Sequence, residues 1–150
     1  MQVHHGCAIP EEYLYDVELN VWIRLEQDGS ALLGMTDVAQ TMCGKIVAIT
    51  FKPVGTKVRR GRTLAVIESA KWVGPFRNPL TGEVLATNEA TFEADGLIAN
   101  RDPYGDGWLV RIAPSALDDE RDNLVDGQAA FPLYQEIIER DEINCMRCAD

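Results

Sequence analysis

The sequence of 150 residues has little positive charge. Its 14 lysines and arginines stand against 24 aspartates and glutamates, which gives a formal net charge of -10. Binding to nucleic acid needs clustered basic side chains that neutralise phosphates, so the composition argues against a nucleic-acid partner. The acidic surface is explained by solubility alone, or by docking to basic faces of partner proteins.

Long hydrophobic runs and a secretory signal are also missing. The first 12 residues lack the positive stretch and apolar core of such a signal, and no run approaches the roughly 18 apolar residues of a membrane span. We therefore expect a cytoplasmic protein without membrane contact. Cysteine is scarce as well, at positions 7, 43, 145 and 148. These are too few and too unevenly spaced for a disulfide framework, so reduced thiols are expected.

Short apolar runs separated by Gly, Pro, Asn and Asp fill the middle of the chain. Runs of this length and composition are typical of strands. The predicted strands cover residues 20–25, 31–34, 46–51, 63–69, 83–87 and 108–112. Helical spacing of apolar residues predicts two helices, at residues 36–43 and 132–140. The pattern predicts a mainly β protein.

The length fits one compact domain with a real core. We place this domain at residues 9–140, between an N-terminal tail (residues 1–8) and a C-terminal tail (residues 141–150). The C-terminal tail carries a Cys-x-x-Cys sequence and is expected to fray.

Lys71 is the candidate functional residue, and it is one of only four lysines. It follows the strong strand at residues 63–68, and the chain then turns back through Gly74 and Pro75 toward residues 83–85. A turn at this point leaves the amine in water. A lysine at a hairpin tip could be an ordinary solvated residue. It could instead be the attachment point of a prosthetic group, which a modifying enzyme must reach.

The surroundings of Lys71 favour attachment. Glu68-Ser69-Ala70-Lys71 and the returning residues 81–84 resemble the lipoyl-lysine hairpin of the glycine-cleavage H-protein family. Biotin carriers are the nearest alternative. They resemble one another in placing Met on both sides of the lysine, whereas the neighbours of Lys71 are Ala70 and Trp72.

The resemblance covers about residues 9–134. Further segments match the family in the same order, at residues 34–40, 44–47 and 100–109. The most specific is Asp-Pro-Tyr-Gly-Asp-Gly-Trp at residues 102–108, because its proline and glycines fix a particular turn.

This resemblance implies a flattened sandwich of two antiparallel sheets, a barrel-sandwich hybrid with a few short peripheral helices. It also implies lipoate joined by an amide to Lys71, with Glu68, Ser69, Ala70 and Trp72 flanking the modified residue. The implied protein is a carrier without catalysis of its own. Its implied partners are a lipoate-protein ligase and dihydrolipoyl dehydrogenase, and its arm would carry reducing equivalents or a sulfur-bound group.

Two departures from the family change the expected pathway. Small residues usually follow the family's lysine, whereas residues 72–76 here are Trp-Val-Gly-Pro-Phe, and residues 20–22 are Asn-Val-Trp where the family has His-Glu-Trp. Trp72 either alters partner docking or packs under the hairpin. The stretch is similar to lipoate-binding proteins of sulfur oxidation that serve a heterodisulfide-reductase-like complex. We expect sulfur transfer to such a complex, with aminomethyl transfer in glycine cleavage as the alternative.

Cys145 and Cys148 have the spacing of a redox pair or of half a metal site. A structural zinc site needs four ligands, and His4, His5 and Cys7 could complete one only if the chain ends meet. We therefore predict possible redox thiols or a free tail, and no metal. Cys43 is predicted to be a small core residue.

An independent enzyme is not expected. Acidic residues occur at predicted strand ends and turns, but no nucleophile or histidine accompanies them. The glycines also lack the spacing of a phosphate-binding loop.

Overall fold

The computed structural model describes residues 2–149; Met1 and Asp150, the outermost residues of the two predicted tails, lie outside the described residues. The strands are β1 (Gln2–His4), β2 (Cys7–Ile9), β3 (Leu14–Asp16), β4 (Val21–Leu25), β5 (Ala31–Met35), β6 (Ile46–Phe51), β7 (Lys57–Val58), β8 (Thr63–Ser69), β9 (Val73–Arg77), β10 (Gly82–Thr87), β11 (Val110–Pro114) and β12 (Val125–Asp126). The helices are α1 (Asp37–Cys43), α2 (Glu89–Ala94), α3 (Ile98–Arg101), α4 (Leu117–Glu120) and α5 (Gly127–Arg140), with a 3-10 turn at Arg121–Asn123.

The strands form three antiparallel sheets. The largest has the order β12-β3-β4-β5-β11-β10-β7, the second has the order β6-β8-β9, and β1 pairs with β2 in an N-terminal hairpin. Apolar side chains from the two larger sheets meet in one core, which includes Ile23, Leu33, Leu64, Ile67 and Ile112. This arrangement confirms the predicted mainly β sandwich.

A second core lies on the other face of the large sheet. Trp22 and Tyr15 of the sheet pack there with Tyr134 and Ile138 of α5 and with Ile9 of the N-terminal hairpin. The hairpin is a small third sheet that the strand pattern did not predict. Its strands are only three residues long, too short for alternation to be recognised.

The helix predicted at residues 132–140 begins five residues earlier. The side chain of Asp126 accepts a hydrogen bond from the Ala129 amide, at 2.8 Å, and so caps the helix before Pro132. A proline inside a helix removes one backbone hydrogen bond. Burial of Ala130, Tyr134 and Ile138 along one face offsets this loss.

The returning arm of the lysine hairpin was also predicted in the wrong place. It is β9, which pairs directly with β8 and contains Gly74 and Pro75, whereas β10 belongs to the large sheet. Pro75 is tolerated because β9 is the edge strand of its sheet and needs hydrogen-bond donors on one side only.

The chain ends are not free tails. Cys7 and Cys145 form a disulfide with a Cα–Cα distance of 4.8 Å, so the expectation of reduced thiols was wrong at these positions. The Arg147 guanidinium also binds the buried carboxylate of Asp37, at 3.2 Å. Residues 138 positions apart meet only in the folded chain, and their spacing in sequence gave no sign of it. Within residues 2–149 no helix has the length and apolar character needed to cross a membrane.

Candidate functional site

Lys71 lies in the three-residue link between β8 and β9, and it is exposed. Alternation along β8 turns Ser69 inward. The Ser69 amide donates to the Trp72 carbonyl at 2.7 Å, and the Ser69 hydroxyl donates to the Cys43 carbonyl at 2.7 Å. The Lys71 amide donates to the Ser69 hydroxyl at 3.3 Å. Ser69 therefore shapes the tight turn and attaches it to α1, while the Lys71 side chain stays exposed.

The Lys71 side chain lies against the end of α1. Gly44 follows that helix with φ 85° and ψ -168°, a conformation that is essentially restricted to glycine. A Cβ atom at Gly44 would lie 2.8 Å from Cε of Lys71. The glycine thus allows both the backbone bend and the close passage of the lysine.

Asn100 holds the segment under Lys71 in place. Its buried side chain donates to the Gly44 carbonyl at 2.8 Å and accepts from the Ile46 amide at 3.0 Å. Sequence reasoning missed Gly44 and Asn100 as parts of the site. A glycine directly after a helix was a usable signal, whereas nothing local marked Asn100.

The specific turn at residues 102–108 acts on the same helix from its other end. Tyr104 donates its hydroxyl proton to the Ala8 carbonyl at 2.6 Å and accepts from the Asp37 amide at 2.9 Å. Asp37 in turn accepts from the Ala8 amide at 2.9 Å. The buried Asp37 carboxylate and Tyr104 hydroxyl thus both have structural partners.

An apolar groove of about 360 Å³ lies beside the hairpin. Trp72 forms one wall; its ring packs against Gly74, and the residue is 41% exposed. None of the described residues that line the groove is charged. They are Leu19, Asn20, Met35, Ala39, Met42, Cys43, Ile67, Trp72, Pro75 and Phe76.

A second groove, of about 370 Å³, includes Lys71 itself. Its far wall is the C-terminal segment, where Met146, Arg147 and Cys148 lie. The Cys148 amide donates to the Asn100 carbonyl at 2.9 Å, which fixes this segment next to the lysine. The sequence did not predict that the C-terminus reaches the candidate site.

The predicted redox pair of Cys145 and Cys148 is not formed. Cys145 is bonded to Cys7, and Cys148 is a free, partly exposed cysteine. Cys43 is buried as predicted, and burial raises the pKa of its thiol against the smaller opposing effects of Ser69 and Lys71. Glu68 and Ala70, which flank the lysine, are exposed. The arrangement presents an amine between two grooves.

Comparison with known proteins decides the family. Residues 13–137 match the family model described as "Glycine cleavage H-protein". The chain belongs to the glycine cleavage H-protein family.

The sequence similarity to relatives extends along nearly the whole chain. Identity is 40% over 145 residues with "Glycine cleavage system H protein 2" of Aquifex aeolicus, covering 97% of this chain and 89% of that protein. It is 44% over 149 residues with "Probable glycine cleavage system H protein 2" of Saccharolobus solfataricus, covering 98% and 99%. The crystal structure of a glycine cleavage system H protein from Mycobacterium marinum superposes with a TM-score of 0.69 at 27% identity, covering 89% of this chain and 99% of that one.

Family membership confirms the expected fold and the expected cofactor, because H proteins carry lipoate covalently on a lysine. The names of these relatives favour the glycine cleavage system over the sulfur-oxidation role that we expected first.

Proposed function

We propose that this chain is a non-catalytic lipoyl carrier of the glycine cleavage system, with lipoate joined by an amide to Lys71. The observation that supports this most is the exposed lysine at a hairpin tip between two grooves, in a family whose members carry lipoate on a lysine. When bound, lipoate supplies a cyclic disulfide that opens to a dithiol and can take up a group or electrons.

The surrounding residues fit such an arm. Ser69 holds the tip so that an acylating enzyme reaches the amine without unfolding the domain. Gly44 leaves room for the lysine stem. The groove beside Trp72 offers apolar surface to an arm that is mostly hydrocarbon, and burying apolar surface is favourable.

The proposed partners are a lipoate-protein ligase and the glycine cleavage enzymes, among them dihydrolipoyl dehydrogenase. Glu68, Ala70 and Trp72 stand exposed around the lysine and would form the surface that these partners contact, with Ser69 beneath it. The proposed compartment is the cytoplasm, although a disulfide such as Cys7–Cys145 is uncommon in reducing compartments.

Sulfur transfer to a heterodisulfide-reductase-like complex is the second candidate, and one observation favours it. An aminomethyl group is cationic, and sheltering a cation without a paired group is costly. The apolar groove beside Trp72 has no charged residue among those that the structure describes around it. A sulfur group bound in an uncharged form needs no such partner.

The test of the attachment site is Lys71→Arg, which keeps the positive charge and cannot be lipoylated. Co-expressed with a lipoate-protein ligase, the variant should stay unmodified by intact-protein mass spectrometry and should fail to support glycine cleavage. Lys45→Arg, an exposed lysine at the same groove, is the matched control and should behave as wild type. Modification of the Lys71→Arg variant would refute the assignment.

The pathway is tested with the lipoylated protein. Loading of the aminomethyl group by glycine decarboxylase supports the first candidate. If loading fails while a heterodisulfide-reductase-like complex accepts sulfur from the same protein, the second candidate replaces it.

A further inference from the structure

Two histidines and a glutamate converge where the chain ends meet, away from the lysine hairpin. Nε2 of His4 lies 2.7 Å from Oε1 of Glu139, and Nε2 of His5 lies 3.3 Å from the same oxygen. One potential ligand atom from each residue lies within 4.8 Å of the others. The Nε2 atoms of both imidazoles therefore lie close to one carboxylate oxygen, and His4 is hydrogen-bonded to it.

The turn of the N-terminal hairpin creates this convergence. Neighbouring side chains in a strand point to opposite faces, but His5 has φ 47° and Gly6 has φ 78°. The left-handed conformation of His5 brings the two rings into a stack, with centroids 4.3 Å apart and planes 12° from parallel. A non-glycine residue in this conformation is uncommon and costs free energy.

Several bonds fix the hairpin relative to α5, which carries Glu139. The Gln2 side chain donates to the Gly127 carbonyl at 2.9 Å, at the start of that helix. The Cys145 amide donates to the His5 carbonyl at 3.0 Å, and the Cys7–Cys145 disulfide is adjacent. These bonds hold the hairpin that carries His4 and His5 next to the helix that carries Glu139, in addition to the His4–Glu139 hydrogen bond itself.

We propose that His4, His5 and Glu139 bind a divalent transition-metal ion of the zinc class. Imidazole nitrogens and a carboxylate oxygen are suitable ligands for such ions, which bind them at about 2.0–2.2 Å. Tetrahedral ligands at that range stand about 3.3 Å apart. The His5–Glu139 pair already has this separation, and the His4–Glu139 pair needs to open by about 0.6 Å. The ligand atoms of His4 and His5 lie within 4.8 Å of each other, so side-chain rotation has to bring them to the same range.

The site is open on one side, since the side chains of His5 and Glu139 are 42% and 59% exposed. Water can therefore supply the fourth ligand. The metal would join the N-terminal hairpin to α5, next to the disulfide that joins the same hairpin to the C-terminal segment. The proposed role is to fasten the chain ends, independently of any group on Lys71.

Isothermal titration of the chelator-treated, full-length protein with Zn²⁺ tests the proposal. We expect one equivalent to bind and the melting temperature to rise, because an ion that binds only the folded state stabilises it. His4→Ala and Glu139→Gln should each weaken binding by at least about tenfold, since each removes a direct ligand. Glu136→Gln, an exposed position one turn earlier on α5, is the matched control and should bind as wild type.

A Cys148→Ser background removes the partly exposed free thiol as a competing zinc ligand, and binding should persist there. Absence of stoichiometric binding, or binding unchanged in both His4→Ala and Glu139→Gln, would overturn the proposal. The titration is done with unmodified protein, so a failure leaves the assignment of Lys71 untouched.

Discussion

The lysine hairpin and the joined chain ends are held in different ways. The tip at Lys71 is fixed by hydrogen bonds of Ser69, within the turn and to the Cys43 carbonyl 26 positions away, and it leaves Trp72 and Val73 41% and 64% exposed. The chain ends are fixed by long-range bonds, including the Cys7–Cys145 disulfide.

The two regions therefore differ in role: the hairpin tip is accessible to partners, and the chain ends support the site. Exposed apolar side chains at the tip cost stability but suit repeated contact with partners. The C-terminal segment, which the disulfide joins to the N-terminal hairpin, forms a wall of the Lys71 groove. Firm attachment of the ends therefore keeps one wall of the site in position while the tip itself stays accessible.

Loss of the Cys7–Cys145 disulfide should have the largest effect on stability. Cys7→Ser removes a cross-link between residues 138 positions apart, and loss of such a disulfide costs about 2–5 kcal/mol. Urea denaturation without reductant should show this loss, and Cys148→Ser should show none because that thiol is free. Equal urea-denaturation midpoints for Cys7→Ser and wild type would show that the Cys7–Cys145 disulfide does not stabilise the fold.

Changing the bend under the lysine should have a smaller effect. Gly44→Ala forces a side chain into a conformation reserved for glycine, at a cost of about 1–3 kcal/mol. Gly96→Ala is the matched control, because the nearest atom to its added Cβ is 3.5 Å away and its φ is ordinary. Thermal denaturation should separate the two variants, and a Gly44→Ala protein as stable as Gly96→Ala would disprove the strain at this bend.

Removing the exposed ring at the tip should affect binding more than folding. Trp72→Ala is expected to weaken docking to the lipoate-protein ligase by about 1–2 kcal/mol, or roughly tenfold in Kd. Val73→Ala, a neighbouring exposed apolar residue, should change the affinity less. Surface plasmon resonance measures both, and an unchanged Kd for Trp72→Ala would show that the ring only packs against Gly74.

The smallest expected effect is a difference in reactivity between the two free thiols, Cys43 and Cys148. Burial raises the pKa of Cys43, so at a given pH a smaller fraction of it is thiolate, the form that reacts. Iodoacetamide at about pH 8 should therefore label Cys148 well before Cys43, as followed by peptide mass spectrometry. Equal labelling rates would mean that the site opens and exposes Cys43.

Local patterns predicted part of this molecule well. The bounds of β6 and β8 match the predicted strands, and α1 begins at Asp37, within one residue of the predicted start, with Thr36 as its N-cap, because alternation and capping are short-range effects. The same reasoning placed Lys71 at a turn after β8.

Long-range contacts account for what was missed. The pairing of β9 with β8 overrides the turn signals of Gly74 and Pro75, and Asn100 meets Gly44 across 56 positions of sequence. The meeting of the two chain ends likewise has no local signature. Such contacts form only in the completed sandwich. The hairpin tip was therefore predictable, whereas the wall of the Lys71 groove that the C-terminal segment forms was not.

The central claim is that Lys71 bears lipoate, and peptide mass spectrometry of protein purified from its native cells tests it most directly. We predict a lipoyl or octanoyl mass on the peptide that contains Lys71 and on no other lysine. A native peptide in which Lys71 is unmodified throughout would contradict the account.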